Sequence, residues 1–135
     1  MTTHMLQRPG GRLAYDCTGT GPLVIAVPGM GDLRQNYRHL LPYLLREGHR
    51  VATMDLRGHG ESEATFTEHG DVVTARDVLA LADVLSPTEP VTLVGSSMGA
   101  AAALWAAAER PDRVRAMVLL GPFARDGAVP APLRW

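Results

Sequence analysis

Gly95-Ser96-Ser97-Met98-Gly99 is the stretch whose residue types and spacing allow covalent chemistry. A serine hydroxyl attacks an electrophilic carbon when it is lifted clear of the chain and given a place for the oxyanion that forms. Residues 91–94 read as a short buried strand and residues 100–109 as an alanine-rich helix. A Gly-x-Ser-x-Gly between strand and helix is the pattern of a nucleophile elbow. The sharp turn strains its central residue, so Ser97 is expected to stand proud of the sheet. Gly95 and Gly99 flank it because that turn brings backbone close two residues before and two after, where a Cβ would collide. Ser97 also opens the following helix, so the amide of Met98 points towards any oxyanion formed there. Ser96, one residue away with the same hydroxyl, is the natural control.

A second loop fits the same chemistry. Gly29-Met30-Gly31 follows an early apolar strand, and the Met30 amide is the expected second oxyanion donor. A competing reading takes Gly29-x-Gly31 and Asp55, at the end of the next strand, as a dinucleotide-binding unit. Arg34 stands where that fingerprint needs a third glycine, and its bulk opposes close packing and approach to a pyrophosphate. His39, His49, His59 and His69 are not spaced at i, i+3 or i+4 within a helix, so no metal site is expected and each reads as a solvated or turn histidine. Asp55 and Arg57 are expected to hold a tight turn through side-chain hydrogen bonds to backbone.

The elements that must position these residues alternate. Residues 5–7 and 12–15 are strand candidates around the Pro9-Gly10-Gly11 turn, a hairpin pattern. Leu23–Val27 is a continuous apolar run bounded by Pro22 and Pro28, as in a strand buried on both faces. Tyr37, Leu40, Leu41, Leu44 and Leu45 form one apolar helical face. Pro42 lies inside it and predicts a kink or a late helix start. Arg50–Met54 is the next strand and Asp71–Leu85 the next helix, stopped by Pro87 and Pro90. After the elbow helix, residues 115–120 read as a fourth buried strand. Strand and helix alternating in this way predict a mostly parallel twisted α/β sheet with helices on both faces.

The totals narrow the classes. The 135 residues, 46% hydrophobic, suffice for one domain with a sizeable core. A net charge of −1 with interspersed signs leaves no basic stripe for nucleic acid. Cys17 is the only cysteine, which rules out an internal disulfide framework and fits a reducing compartment. Residues 1–10 lack a signal-peptide core, and no window is long enough for a membrane span. A cytoplasmic protein without a membrane partner is expected.

Taken together, Val27-Pro28-Gly29-Met30-Gly31, Asp55-Leu56-Arg57-Gly58-His59-Gly60-Glu61-Ser62 and Gly95-Ser96-Ser97-Met98-Gly99 resemble the α/β-hydrolase superfamily from about residue 23 to residue 123. The resemblance implies Ser97 as nucleophile, the Met30 and Met98 amides as oxyanion donors, and no cofactor. Serine at the elbow centre resembles the esterases, lipases, thioesterases and carbon–carbon hydrolases, and argues against the dehalogenase and epoxide hydrolase branches, which use aspartate there. The implied substrate is a small molecule with an ester, thioester or similar acyl bond. Pro28 departs from the histidine often found before the glycine of that loop.

The family's triad runs serine, acid, histidine. His4, His39, His49, His59 and His69 all precede Ser97, and only Asp112 and Asp126 are aspartates after it. No triad acid or histidine is found in this chain. By resemblance, residues 1–135 are the N-terminal portion of one hydrolase domain, truncated after the sixth strand, with 124–135 as the start of a lid or an irregular tail. Such a chain alone is expected to be inactive. Its last strand, from Arg115 through to Leu120, becomes an open edge suited to self-association. The alternative is a remnant that keeps the half-sheet as a binding or interaction module.

Overall fold

The structure, a computed structural model, describes residues 2–121. The tail at 124–135, with Asp126, lies outside the described residues.

The first two strands, β1 (His4–Arg8) and β2 (Gly11–Thr18), form the expected hairpin, with Leu6 opposite Leu13. β2 runs three residues past the apolar pattern because Asp16, Cys17 and Thr18 pair antiparallel with Thr53, Ala52 and Val51. β3 (Leu23–Val27) is buried at every position, as a continuous apolar run requires when both faces are covered. β4 (Arg50–Met54), β5 (Val91–Ser96) and β6 (Val114–Leu120) complete six strands in the order β1-β2-β4-β3-β5-β6. β4, β3, β5 and β6 are mutually parallel. The parallel array brings the carboxyl ends of β3, β4 and β5 to one edge of the sheet, where ligands gather in open α/β folds.

Helices cover both faces. α2 (Asp71–Leu85) and α3 (Met98–Glu109) pack on one side, where Val78, Leu81, Ala103 and Ala106 meet Ile25, Val27, Val91 and Leu93. The alanines of α3 let its axis approach the sheet closely. On the other side, Tyr37, Leu40 and Leu44 pack against Val24, Ala26 and Val94. The single helix suggested by the apolar face from Tyr37 to Leu45 is divided: a 3-10 turn at Arg34–Tyr37 precedes α1 (Leu41–Arg46). Pro42 sits in the first turn of α1, where its missing N–H costs nothing, so the helix starts late.

One expectation is corrected. Residues 115–120 do not form a fourth buried strand. β6 is the last strand of the sheet among the described residues, and its side chains are half-buried or exposed, with Val118 at 50% and Leu120 at 47% exposure. Met117 and Leu119 pack towards the core on the α3 side, while Val118 and Leu120 stay exposed. An apolar run is compatible with a buried strand or an edge, and only neighbours decide between them.

Candidate active site

β5 enters the site and α3 leaves it, with Ser97 between them as the residue that caps α3. Ser97 has φ 55° and ψ −115°, and among the described residues it is the only non-glycine with positive φ. Such a conformation costs on the order of 1–3 kcal/mol and persists where surroundings impose it. The surroundings are identifiable. A Cβ on Gly95 would lie 2.6 Å from the Gly99 carbonyl carbon, and one on Gly99 would lie 2.7 Å from the Pro28 carbonyl oxygen. Both obstacles are backbone and cannot rotate away, so glycine is required at each place. The Ser97 amide donates to the Leu120 carbonyl at 2.9 Å, which ties the elbow to the end of β6. That amide is thereby occupied. Met98, in the first turn of α3, carries one of the amides for which the helix itself offers no acceptor.

The loop after β3 lies against this elbow. Gly29 is buried, and a Cβ there would stand 3.2 Å from the Ser97 Cβ and 3.2 Å from the Ser96 carbonyl oxygen. The loop closes through the Asp32 amide, which donates to the Gly29 carbonyl at 3.0 Å. Met30 is 66% exposed at its tip. Tyr37 anchors the start of the loop by donating its hydroxyl to the Val27 carbonyl at 2.7 Å. Burial, with the nearby Asp32 charge, pushes the Tyr37 phenol up to about 12, so it remains a donor across the physiological range. A groove of about 400 Å³ opens beside the elbow, lined by Pro28, Asp32, His39, Leu40, Ser96 and Leu120 among others.

The turn after β4 supplies the third side. Asp55 is fully buried and accepts from the Arg34 amide at 2.8 Å, the Glu61 amide at 3.0 Å and the Arg34 guanidinium. Arg34 also pairs with Asp16 and Glu61. Burial alone would weaken the guanidinium's hold on its proton, but the bonds from Glu61, Asp16 and Asp55 outweigh it and raise its pKa. The Ser62 hydroxyl donates to the Asp55 carbonyl and accepts from the Ala14 amide, both at 2.9 Å. This geometry rules out the dinucleotide reading: Asp55 has no surface to offer a ribose, and Arg34 is the plug that covers it.

One further reading changes, and another is extended. Arg57 does not chiefly bind backbone; it holds Asp77 of α2 by two bonds, at 2.7 and 2.9 Å, and lies 4.2 Å over the Phe66 ring. Arg8 reaches the same carboxylate from β1. His59 lies in the turn, as expected, and its ring also accepts a bond from the Gly31 amide at 2.9 Å. No local signal in the sequence marks Asp77, Tyr37 or the His59 bond, since each joins elements between 10 and 69 residues apart.

The structure therefore brings together Ser97, Met98, Gly95, Gly99 and the Gly29-Met30-Gly31 loop. Among the described residues no histidine is hydrogen-bonded to Ser97, and no three metal-binding side chains cluster.

Residues 22–134 match the family model of the alpha/beta hydrolase fold, and the chain belongs to that family. It is similar to epoxide hydrolase 3 of Siraitia grosvenorii, 37% identical over 122 residues that cover 83% of this chain and 36% of the relative. It is 36% identical over 116 residues to a 2-hydroxy-6-oxononadienedioate/2-hydroxy-6-oxononatrienedioate hydrolase of Comamonas testosteroni, covering 82% of this chain and 40% of that one. Among solved structures, a thermophilic esterase from Thermogutta terrifontis superposes with a TM-score of 0.82 at 31% identity, covering 93% of this chain and 47% of the other. The chain thus spans about two fifths of the length of the curated relatives it matches. No helix among the described residues is long and apolar enough to cross a membrane.

Proposed function

We propose that this chain carries the nucleophile half of a serine hydrolase that cleaves an ester, thioester or similar acyl bond of a small molecule through an acyl-enzyme on Ser97. The observation that carries the reading is Ser97 itself, a non-glycine held at positive φ with the Gly29 loop packed against it. Backbone strain at a residue bearing a hydroxyl is a cost that stability alone does not explain. In the proposed step the hydroxyl oxygen adds to the carbonyl carbon, a base takes its proton, and the Met30 and Met98 amides receive the oxyanion. Collapse expels the leaving group, and water then releases the acyl group. The base and its acid partner belong to the full-length hydrolase.

Relatives of this chain include epoxide hydrolases, and the chemistry of the intermediate separates the two readings. A carboxylate that opens an epoxide gives an ester, which water can cleave. A serine alkoxide that opens one gives an ether, which water cannot. Ser97 therefore favours acyl transfer.

The test uses the full-length protein and a fluorophosphonate probe, which labels activated serines. Wild type and Ser96→Ala are expected to label and Ser97→Ala is not. Labelling that survives Ser97→Ala overturns the assignment.

A further inference from the structure

The loop that bears Met30 has little support of its own. It is closed by one backbone bond, from Asp32 to Gly29, and its tip is exposed. Its next amide, Gly31, is held by a side chain from another loop: Gly31 N–H donates to Nε2 of His59 at 2.9 Å. The other ring nitrogen of His59, Nδ1, lies 2.9 Å from the Arg57 carbonyl oxygen. A backbone N–H can only donate and a carbonyl can only accept. Nδ1 must therefore carry the proton and Nε2 the lone pair, which fixes the imidazole as one neutral tautomer. With both nitrogens engaged, this ring is not the base for Ser97.

We infer that His59 is a positioning residue for the oxyanion loop, latching Gly31 to the turn after β4 and so setting the direction of the Met30 amide relative to Ser97. The inference rests on the reading of Ser97 as nucleophile. Nothing in it requires His59 to touch a substrate. The latch has firm ground on one side only. Asp55 takes two backbone amides of its surroundings as well as the Arg34 guanidinium, and Arg57 is locked between Asp77 and Phe66. The imidazole carries that rigidity across to a loop that has none to spare. An amide donor displaced by about 1 Å loses much of its value to a developing oxyanion, with rate losses that reach about a hundredfold.

Two variants with the same functional group and different reach isolate the latch. Asn in place of His59 can offer its side-chain N–H to the Arg57 carbonyl, where Nδ1 stood, but its amide ends short of Gly31. Gln in place of His59 can bring a carbonyl oxygen to the position of Nε2. The experiment measures, in the full-length protein, the hydrogen-exchange rate of the Gly31 amide, the imidazole 15N shifts and the rate of fluorophosphonate labelling. In wild type, the 15N shifts should show the proton on Nδ1. His59→Asn should exchange Gly31 and lose labelling rate by about tenfold each, with an unchanged melting temperature. His59→Gln should recover both. A wild-type proton on Nε2, or Gly31 exchange that is equal in wild type and His59→Asn, overturns the latch. Labelling that stays low in His59→Gln despite restored Gly31 protection overturns its role in positioning. Failure of the Ser97 reading shows separately, as labelling indifferent to Ser97→Ala, while Gly31 exchange still decides whether the latch exists.

Discussion

Two turns lie at the carboxyl edge of the sheet, and they are built by opposite means. The elbow at 95–99 is shaped by what is missing: glycines at 95 and 99 allow backbone to approach where any side chain would collide. The turn at 55–62 is shaped by what is present: a buried carboxylate, two arginines, a hydroxyl and an imidazole, each with a partner at hydrogen-bond distance. The first stores strain in one residue. The second spends charge to remove it. The strained Ser97 thus lies against the loop after β3, to which the other turn is bonded at Gly31, and the contrast predicts how each responds to substitution.

The largest effect is expected in the charged turn. Asp55→Ala leaves the buried Arg34 without its closest carboxylate and strands the Glu61 amide. Removing one partner of a buried pair costs about 3–5 kcal/mol, and urea denaturation should show a loss of that order. A loss below about 1 kcal/mol would mean that Asp16 and Glu61 suffice for Arg34.

Gly99→Ala tests the sterically built turn. The added methyl meets the carbonyls of Val27 and Pro28, neither of which can move without shifting β3. We expect about 3 kcal/mol of destabilisation, at the upper end for overpacking, together with loss of labelling at Ser97. A stable, fully labelled variant would show that the elbow is softer than its geometry implies.

Ser97→Gly reverses the sign. Glycine adopts φ 55° without steric cost, so the variant should gain roughly 1 kcal/mol while losing covalent labelling. Destabilisation would show that Ser97 is not strained.

The smallest effect lies at the rim of the charged turn. Glu63 accepts from the Arg12 amide at 2.8 Å and pairs with the Arg12 guanidinium at 3.1 Å, which holds its carboxyl below the usual value. A depressed carboxyl contributes stability above its unfolded pKa and loses it as pH falls through the folded one. Wild type should therefore exceed Glu63→Gln slightly at neutral pH, and the gap should close below about pH 4 in thermal melts. A gap that persists in acid would assign the effect to the neutral hydrogen bond.

The same contrast explains what was legible in the chain. The elbow declares itself because its requirement is local: glycine at two fixed offsets, a strand before and a helix after. Leu23–Val27 and Asp71–Leu85 are legible for a similar reason, their apolar patterns being set by the faces they bury. The turn after β4 is legible as a turn and not as a network. Arg34 looks like an obstacle in its own loop until Asp55, 21 residues away, is placed under it. Asp77 looks like one more polar position on a helix until Arg8 arrives from β1, 69 residues distant. His59 has nothing beside it in sequence to suggest Gly31. β6 shows the remaining gap: its apolar run states an affinity for apolar neighbours and says nothing of whether they are there.

The bond from the Ser97 amide to the Leu120 carbonyl has a kinetic meaning as well. It joins residues 23 apart, with the whole of α3 between them, so the chain cannot close it until β6 has docked on β5. During synthesis the serine leaves the ribosome before its carbonyl partner does. At about 5–20 residues per second, the delay is on the order of one to a few seconds. For that interval β5 and the start of α3 can form, but the amide of the residue that carries the strain has no β6 carbonyl to hold it. The strand that docks after α3 is therefore the one that ties down the amide of the elbow's strained residue.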